Sequence, residues 1–463
     1  MGLLIQAPIV LAAALAFSGA WYVLQKNVLT GAALVLVTFV ARVIAISYAP
    51  LEYAGINIYP EDLVFFLLAT VGAPRLFSQR RRSWTQFASA GFALLVIVGF
   101  ILGVAENNLK LSGVECRPYF YFSACALYFL TFSVSPANIG KLTWLLNVAA
   151  LFLVAVAGYR WMAQLLNYLP VPPSWANTAQ LTTFRVLTAN EALFLWQAFL
   201  FNLYLRATSP AARIRFYLCL TLPPLVILLQ HRSVWAVVLI SGAIVMVRER
   251  VLSRRFMLIG LSLIVAAGLV LSIPGDFSDS IRSSLDHSFR EPLDPVDSTF
   301  SWRVEGWRQL LTGGYLGTPA EIVFGRHFGR GLLRYYHGEA INLSAHNAYI
   351  DTLMQLGIVG LCLLLCCYLG SLARLRRLRV SGLVPTRFVA LLRVILVTNL
   401  VYFMVYGVSY EQGIILGTAI GMGAYRERRA LLSEIHYTLA PITTLRPRVG
   451  AGPLSSQQGD LGA

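Results

Sequence analysis

Apolar runs of membrane-spanning length recur along most of the chain, separated by short polar clusters. A helix needs about 20 mainly apolar residues to cross the hydrocarbon layer of a bilayer. The pattern predicts spans at 3–24, 28–48, 60–77, 86–105, 118–134, 142–158, 187–205, 214–230, 233–247, 256–273, 348–373, 388–406 and 410–425. The expected fold class is therefore all-α, a polytopic integral membrane protein with about 12–13 transmembrane helices. The sequence after Met1 lacks a basic segment and a cleavage site, which predicts no cleavable signal peptide.

Composition agrees with this class, because 57% of the residues are hydrophobic and only 13% are charged. Arginine clusters at 75–82, 206–215, 248–255 and 374–379 lie beside predicted spans, and such clusters stay in the cytoplasm. The formal net charge of +16 therefore reflects the orientation of the chain in the membrane and suits contact with anionic lipid headgroups. It does not indicate nucleic-acid binding. Of the six cysteines only Cys116 is expected outside, so no disulfide framework is predicted.

This charge pattern divides the chain into four segments. Residues 1–273 contain ten predicted helices, 274–347 form one large external loop, 348–425 contain the C-terminal helices, and 426–463 form a cytoplasmic tail. The tail is expected to be largely disordered from about residue 441, and an odd number of spans would leave the amino terminus outside. Aromatic residues and glycines in the external loop predict an ordered, partly helical cap, with a helix that begins near Ser298.

Two arginines stand at the expected external face. Arg232 lies between two apolar spans with almost no loop, and an ionisable residue at membrane depth indicates function. The alternative is a side chain that extends to the lipid headgroups. Arg303 lies early in the external loop, near Trp302 and Trp307, and the alternative there is an exposed charge on a cap helix.

The most specific motif begins at His346, where the polar loop meets the next apolar helix. Asn347, Asp351 and Gln355 are each four residues apart and form one polar stripe on that helix. A histidine at this position is placed to exchange protons with a molecule that arrives from outside, although a lone histidine is more often structural. In the same helix Gly357 and Gly360 predict close packing against another helix.

These residues resemble the superfamily of bacterial membrane glycosyltransferases that contains O-antigen ligases and O-antigen polymerases. The resemblance covers the plan of the whole chain and rests on His346-Asn347, Gly357 and Gly360, Arg232 in a short external hairpin, and Arg303 with Trp307. The glycine-containing turn at 325–329 also resembles one in the family's external loop, and it is not a phosphate-binding loop, which needs a flanking strand and helix. The chain departs from the family at Gln355, where an acid is common, and in the context of Arg232.

The resemblance implies a reaction and a set of residues. The donor is a glycan on undecaprenyl diphosphate and the acceptor is a sugar hydroxyl, at the periplasmic face of the bacterial inner membrane. His346 is then the catalytic base of an inverting transfer, and Arg232 and Arg303 bind the diphosphate, since guanidinium groups can hold its oxygens in pairs. Supporting candidates are Arg185 and Arg117 for the diphosphate and Asn347 or Asp351 for the tautomer of His346. No metal and no cofactor is expected, because the loop lacks a ligand spacing for one.

Other functions remain open at this stage. Within the enzyme class, a polymerase of exopolysaccharide or O-antigen repeat units is favoured over a ligase that joins the glycan to lipid A-core. A chain-length regulator is then a further expected partner, beside the donor, the acceptor and membrane lipids. From other classes, a flippase for lipid-linked sugars predicts polar residues throughout the midplane of the bilayer, and a scaffold subunit predicts no chemistry at these motifs.

Overall fold

The computed structural model describes most of the chain. The described residues are 15–43, 51–53, 56–78, 82–131, 136–166, 185–205, 211–248, 257, 260–261, 299–336, 338–342, 344–380 and 386–422. Three predicted segments lie outside the described residues: the tail from 426 onward, the span at 256–273 apart from three residues, and the first part of the external loop, with His287. His337 lies outside them as well.

Helices dominate the described residues. In chain order they are α1 Val28–Val43, α2 Pro60–Ser78, α3 Trp84–Glu106, α4 Leu109–Leu130, α5 Pro136–Leu166, α6 Ala189–Tyr204, α7 Ala211–Leu228, α8 Arg232–Arg248, α9 Thr299–Thr312, α10 Pro319–Phe324, α11 Ala348–Val380 and α12 Thr386–Tyr402. Residues 15–26 and 410–422 are helical as well. Capping follows from the sequence, because Ser83 and Gln86 form a capping box at the start of α3 and Thr188 and Glu191 form one at the start of α6.

Two small antiparallel hairpins interrupt the helical pattern. Strand β1 Leu51–Tyr53 pairs with β2 Ile56–Ile58 before α2. Strand β3 Leu333–Tyr336 pairs with β4 Glu339–Asn342 in the loop that the sequence predicts to be external, and β3 also lies against α9. The loop is therefore partly helical, as the sequence predicts, and contains a hairpin that the sequence analysis did not anticipate.

Membrane character is evident from helix length and composition. Among the described residues, three stretches are long and apolar enough to cross a membrane: Trp84–Glu106, Ala137–Ala163 and Ala348–Leu378. This confirms a helical membrane protein, while the number of spans and their sidedness stay predictions. The core lies between helices, with α11 packed on α3 and α12, α4 on α2 and α3, and α6 on α5, α7 and α12.

Helix α11 is broken at Gly357, which has a φ of +67°. The short helix α10 fits against the break, because a Cβ at Gly357 would overlap the carbonyl oxygen of Val323 and a Cβ at Gly325 would overlap the backbone of Gln355. The Arg326 amide donates a hydrogen bond to the Met354 carbonyl across this contact, at 2.8 Å. The predicted close packing at Gly357 is therefore confirmed, with a backbone break in addition.

Candidate functional site

His346 lies in the turn that leads into α11. Its backbone has a φ of +51°, in the left-handed region that non-glycine residues rarely adopt. Asn347 ends this turn as the cap of α11, since its Oδ1 accepts hydrogen bonds from the amides of Tyr349 at 3.0 Å and Ile350 at 3.2 Å. Left-handed backbone at such a position is characteristic of sites where geometry matters more than local stability.

Asp351 holds the same turn from the first turn of α11. One carboxylate oxygen accepts a hydrogen bond from Ser344 Oγ and the other from the Ala345 amide, each at 2.7 Å. Ser344 Oγ in turn accepts a hydrogen bond from the His346 amide at 3.1 Å. Asp351 is buried, so this short network fixes the backbone that carries His346.

The imidazole of His346 lies between two aromatic rings. Its centroid is 5.9 Å from the ring of Trp302 on α9 and 6.3 Å from the ring of Tyr406, which follows α12. Within the described residues no hydrogen bond joins the imidazole to Asn347 or Asp351. Both side chains hold the backbone of the turn, because they are bonded to its amides and to Ser344. An influence of either residue on the tautomer of His346 stays a prediction.

Arg303 reaches the same place from α9. Its Cζ lies 5.5 Å from the centroid of the Tyr406 ring, and its Nη1 donates a long hydrogen bond of 3.4 Å to the Val405 carbonyl. Its Nε is buried and has no hydrogen-bond partner among the described residues. A buried guanidinium nitrogen of this kind is a donor that an anion can satisfy. The structure thus brings Arg303 and His346 together, as the sequence predicts.

The electrostatics of this site move His346 away from the ordinary titration of histidine near neutrality. Burial, together with the positive charges of Arg303 and Arg334, lowers the pKa of His346 to about 4. His346 is therefore neutral at neutral pH and able to accept a proton. His346 is a weak base as long as no negative charge offsets the two arginines beside it.

Arg334 completes the site, although no motif in the sequence predicts a role for it. Arg334 is only 3% exposed. Its Cζ lies 5.2 Å from the centroid of the Trp302 ring, and its Nη2 donates a hydrogen bond to the Ser344 carbonyl at 2.8 Å. Burial lowers its pKa, while the charge of Asp351 opposes the shift. The signal in the sequence is the alternation along β3, where Arg334 stands between the exposed residues Leu333 and Tyr335.

Trp307 also joins α9 to the turn, because its Nε1 donates to the Ala345 carbonyl at 2.7 Å. The position of Gly306 explains how α9 approaches β3 so closely. A Cβ at Gly306 would lie 2.7 Å from Cδ and 2.8 Å from Nε of Arg334. Arg308, by contrast, is exposed and pairs with Glu305 at 2.9 Å on the same helix.

Arg232 and Arg185 lie around His231 at the junction of α7 and α8. His231 Nε2 is 2.7 Å from the Leu187 carbonyl, and burial together with the charge of Arg185 lowers the pKa of His231 to about 4. The segment that contacts His231 at Leu187 also contacts the end of α12 three residues later. Asn190 accepts a hydrogen bond from Tyr402 at 2.7 Å, and the ring of Tyr402 is stacked on Tyr406 at 4.9 Å.

Arg117 is engaged elsewhere. Its Nε donates to Asp62 at 3.0 Å, its Nη2 contacts the Asn57 carbonyl, and its guanidinium covers the ring of Tyr59 at 4.7 Å. These contacts tie α4 to β2 and α2. The structure therefore gives Arg117 an ion pair with Asp62 and no contact with the His346 site within the described residues.

Gln355 and the turn at 325–329 support the fold around the site. Gln355 is buried, and its Oε1 has no hydrogen-bond partner among the described residues. Phe328 is fully buried against Gly99 and Gly103 of α3, and its carbonyl accepts hydrogen bonds from Asn107 and Ser112, each at 3.1 Å. This turn anchors the loop to α3 and α4.

A scan against protein-family models gave no match, and no curated protein is significantly similar to this chain. Family membership therefore stays a prediction that rests on the motifs. Among the described residues no group of three or more histidine, cysteine, aspartate or glutamate side chains is placed to hold a metal ion.

Proposed function

We propose that this protein is a membrane glycosyltransferase of cell-surface polysaccharide assembly, which transfers a glycan from undecaprenyl diphosphate to an acceptor hydroxyl. The observation that carries the proposal is the pairing of a neutral, half-buried His346 with Arg303, whose Nε is buried and lacks a partner among the described residues. A proton acceptor beside an anion-binding group is what glycosyl transfer from a diphosphate requires.

The reaction proceeds in one step with inversion at the anomeric carbon. The acceptor oxygen forms a bond to that carbon while the bond from the carbon to the diphosphate oxygen breaks. His346 takes the proton of the acceptor hydroxyl, and undecaprenyl diphosphate leaves with the bonding electron pair. Arg303 holds the diphosphate, with Arg232 as the second guanidinium group.

Donor binding also makes His346 a better base. The diphosphate brings negative charge beside Arg303, which is one of the two cations that lower the pKa of the imidazole. Partial compensation of that cation raises the pKa toward its ordinary value, and proton transfer then becomes easier only when the donor is in place. This coupling protects the donor from transfer to water before it is fully bound.

The finer parts of the proposal follow the resemblance. The chain has about 12–13 transmembrane helices, lies in the bacterial inner membrane and presents the His346 site to the periplasm. A polymerase of exopolysaccharide or O-antigen repeat units is favoured, and a ligase that uses lipid A-core is the alternative. Both reactions share the donor, the base and the leaving group, so they differ only in the acceptor.

One observation favours a second class, the flippase for lipid-linked sugars. Buried amide side chains form hydrogen bonds between helices, with Asn147 and Asn202 paired at 3.1 and 2.7 Å and Gln197 bonded to Asn399 at 3.0 Å. Each of these groups has found a partner, as interhelical polar contacts in membranes do. Arg303 Nε, beside the proton acceptor, is a buried donor without a hydrogen-bond partner among the described residues.

The test is the lipid-linked glycan that accumulates in a strain that lacks the gene. Polymerase function predicts single repeat units on the periplasmic side, and ligase function predicts long lipid-linked polymers there. Single units trapped in the cytoplasm would instead identify a flippase. Complementation with His346→Ala or Arg303→Ala should fail, although the protein is inserted, whereas Arg308→Ala on the same helix should restore function. Full restoration by His346→Ala would remove the base assignment.

A further inference from the structure

A second site lies along α3, away from His346. A cavity of about 330 Å³ opens between α3, α10 and the turn that follows α10. Its wall is apolar and includes Leu95, Val98 and Leu102 of α3 and Phe324 of α10. The volume is within the range of small-ligand pockets, which is roughly 300–1,000 Å³.

The cavity lies at the level of the membrane. Helix α3 is one of the stretches that are long and apolar enough to span a bilayer, and its last residue is Glu106, which lines the rim. Next to the cavity-lining Val98, the side chains of Ile97 and Ile101 are 47% and 58% exposed. This outer face is apolar and suits contact with acyl chains, so a lipid can enter the cavity from the side.

The rim carries charges of both signs. Arg330 contacts Glu106 at 3.1 Å and Glu321 at 3.2 Å, and His327 Nε2 lies 4.0 Å from Glu106. His327 Nδ1 is buried and has no hydrogen-bond partner among the described residues. The backbone of His327 has a φ of +62°, and His327 lines the cavity. Arg326 Nε also lies 3.9 Å from Glu321, so the rim combines two carboxylates with two guanidinium groups and an imidazole.

We infer that this cavity binds one phospholipid with an ethanolamine headgroup, with an acyl chain between α3 and α10 and the headgroup at the rim. The charge pattern supports this choice. The primary ammonium can donate hydrogen bonds to Glu106 and Glu321, and the phosphate can accept from Arg330 and His327. A choline headgroup has the same net charge but no N–H donor. An anionic glycerol headgroup would add a negative charge to a rim whose two carboxylates and two guanidinium groups already balance.

The experiment compares lipids that differ only in these respects. The full chain is reconstituted into equimolar phosphatidylethanolamine and phosphatidylglycerol, or into equimolar phosphatidylcholine and phosphatidylglycerol, and retained lipids are identified by native mass spectrometry. We expect one retained phosphatidylethanolamine per chain from the first mixture and no retained phosphatidylcholine from the second. Val98→Trp, which fills the cavity, should abolish this adduct, and Glu106→Gln should reduce it to the level of phosphatidylcholine.

The control is Ile101→Trp, which adds the same bulk on the same helix at an exposed position outside the cavity lining. It should retain the adduct, and size-exclusion chromatography of all three variants shows which of them fold. Three results would each overturn the inference: equal retention of phosphatidylcholine, preferential retention of phosphatidylglycerol, or an unchanged adduct in folded Val98→Trp.

Discussion

The contact between Gly306 and Arg334 allows the site to be disturbed by a single methyl group. Glycine inside a helix is less favourable than alanine by about 1 kcal/mol, so Gly306→Ala should stabilise α9 considered alone. In this fold the new Cβ would lie 2.7 Å from Cδ and 2.8 Å from Nε of Arg334, which is well inside normal contact. Helix propensity therefore predicts that Gly306→Ala stabilises α9, whereas the contact with Arg334 predicts that it disturbs the site.

The size of the effect follows from the hydrogen bond that Arg334 would lose. It is 3% exposed, so its middle carbons have little room to move, and its guanidinium holds the Ser344 carbonyl at 2.8 Å. A hydrogen bond from a charged donor contributes about 1.5–3 kcal/mol. Subtracting the gain in helix propensity leaves a net penalty of about 0.5–2 kcal/mol on the working position of the turn. In a rate this is about 2- to 30-fold.

The assay is kcat/KM for transfer from the lipid-linked donor by the purified protein, beside its thermal stability in detergent. The matched control is Gly158→Ala in α5, a helical glycine at which an added Cβ meets nothing within 4 Å. The control should keep full activity and gain slightly in stability. If Gly306→Ala behaves like the control, Arg334 does not hold the His346 turn in the way described here.

Two further predictions concern the charges of the site. The pKa of His346 is lowered to about 4 and the protonated form is inactive, so kcat/KM should fall only as the pH drops through about 4. The acid limb of kcat should lie at higher pH, because the bound diphosphate offsets the charge of Arg303. An acid limb of kcat/KM near 6.5, the ordinary value for histidine, would contradict this electrostatic account. Arg232→Lys should lower transfer nearly as much as Arg232→Ala, since lysine cannot make the paired contacts of a guanidinium to a diphosphate; normal turnover with lysine would mean that a point charge suffices.

Sequence periodicity was sufficient to predict the helices around the site. The predicted start at 348 is the start of α11, and the predicted helix near Ser298 is α9, which begins at Thr299. The spacing of Asn347 and Asp351 also placed both residues at the first turn of α11. These predictions succeed because they depend on local spacing and capping, which a single segment determines.

Contacts between distant segments could not be predicted in the same way. Arg334 is one of several arginines in the external loop, and only the pairing of β3 with β4 and the glycine at 306 turn it toward Trp302. The pKa of His346 escaped prediction for the same reason, because it depends on burial and on two arginines from separate elements. The ion pair of Arg117 likewise depends on Asp62, which is 55 residues away.

The break at Gly357 gives the external loop a fixed relation to the membrane helices. Inside a membrane, backbone groups released by a break need partners, and here the Arg326 amide bonds to the Met354 carbonyl while α10 closes against Gly357. A few residues later Phe328 is inserted between α3 and α4. The described part of the loop is thus attached on both sides of the site, at 325–329 and through Trp307 and Arg334 to the turn at 344–347. Such attachment holds His346 and Arg303 in register before any substrate binds, so binding energy is available for the diphosphate and need not be spent on ordering the base.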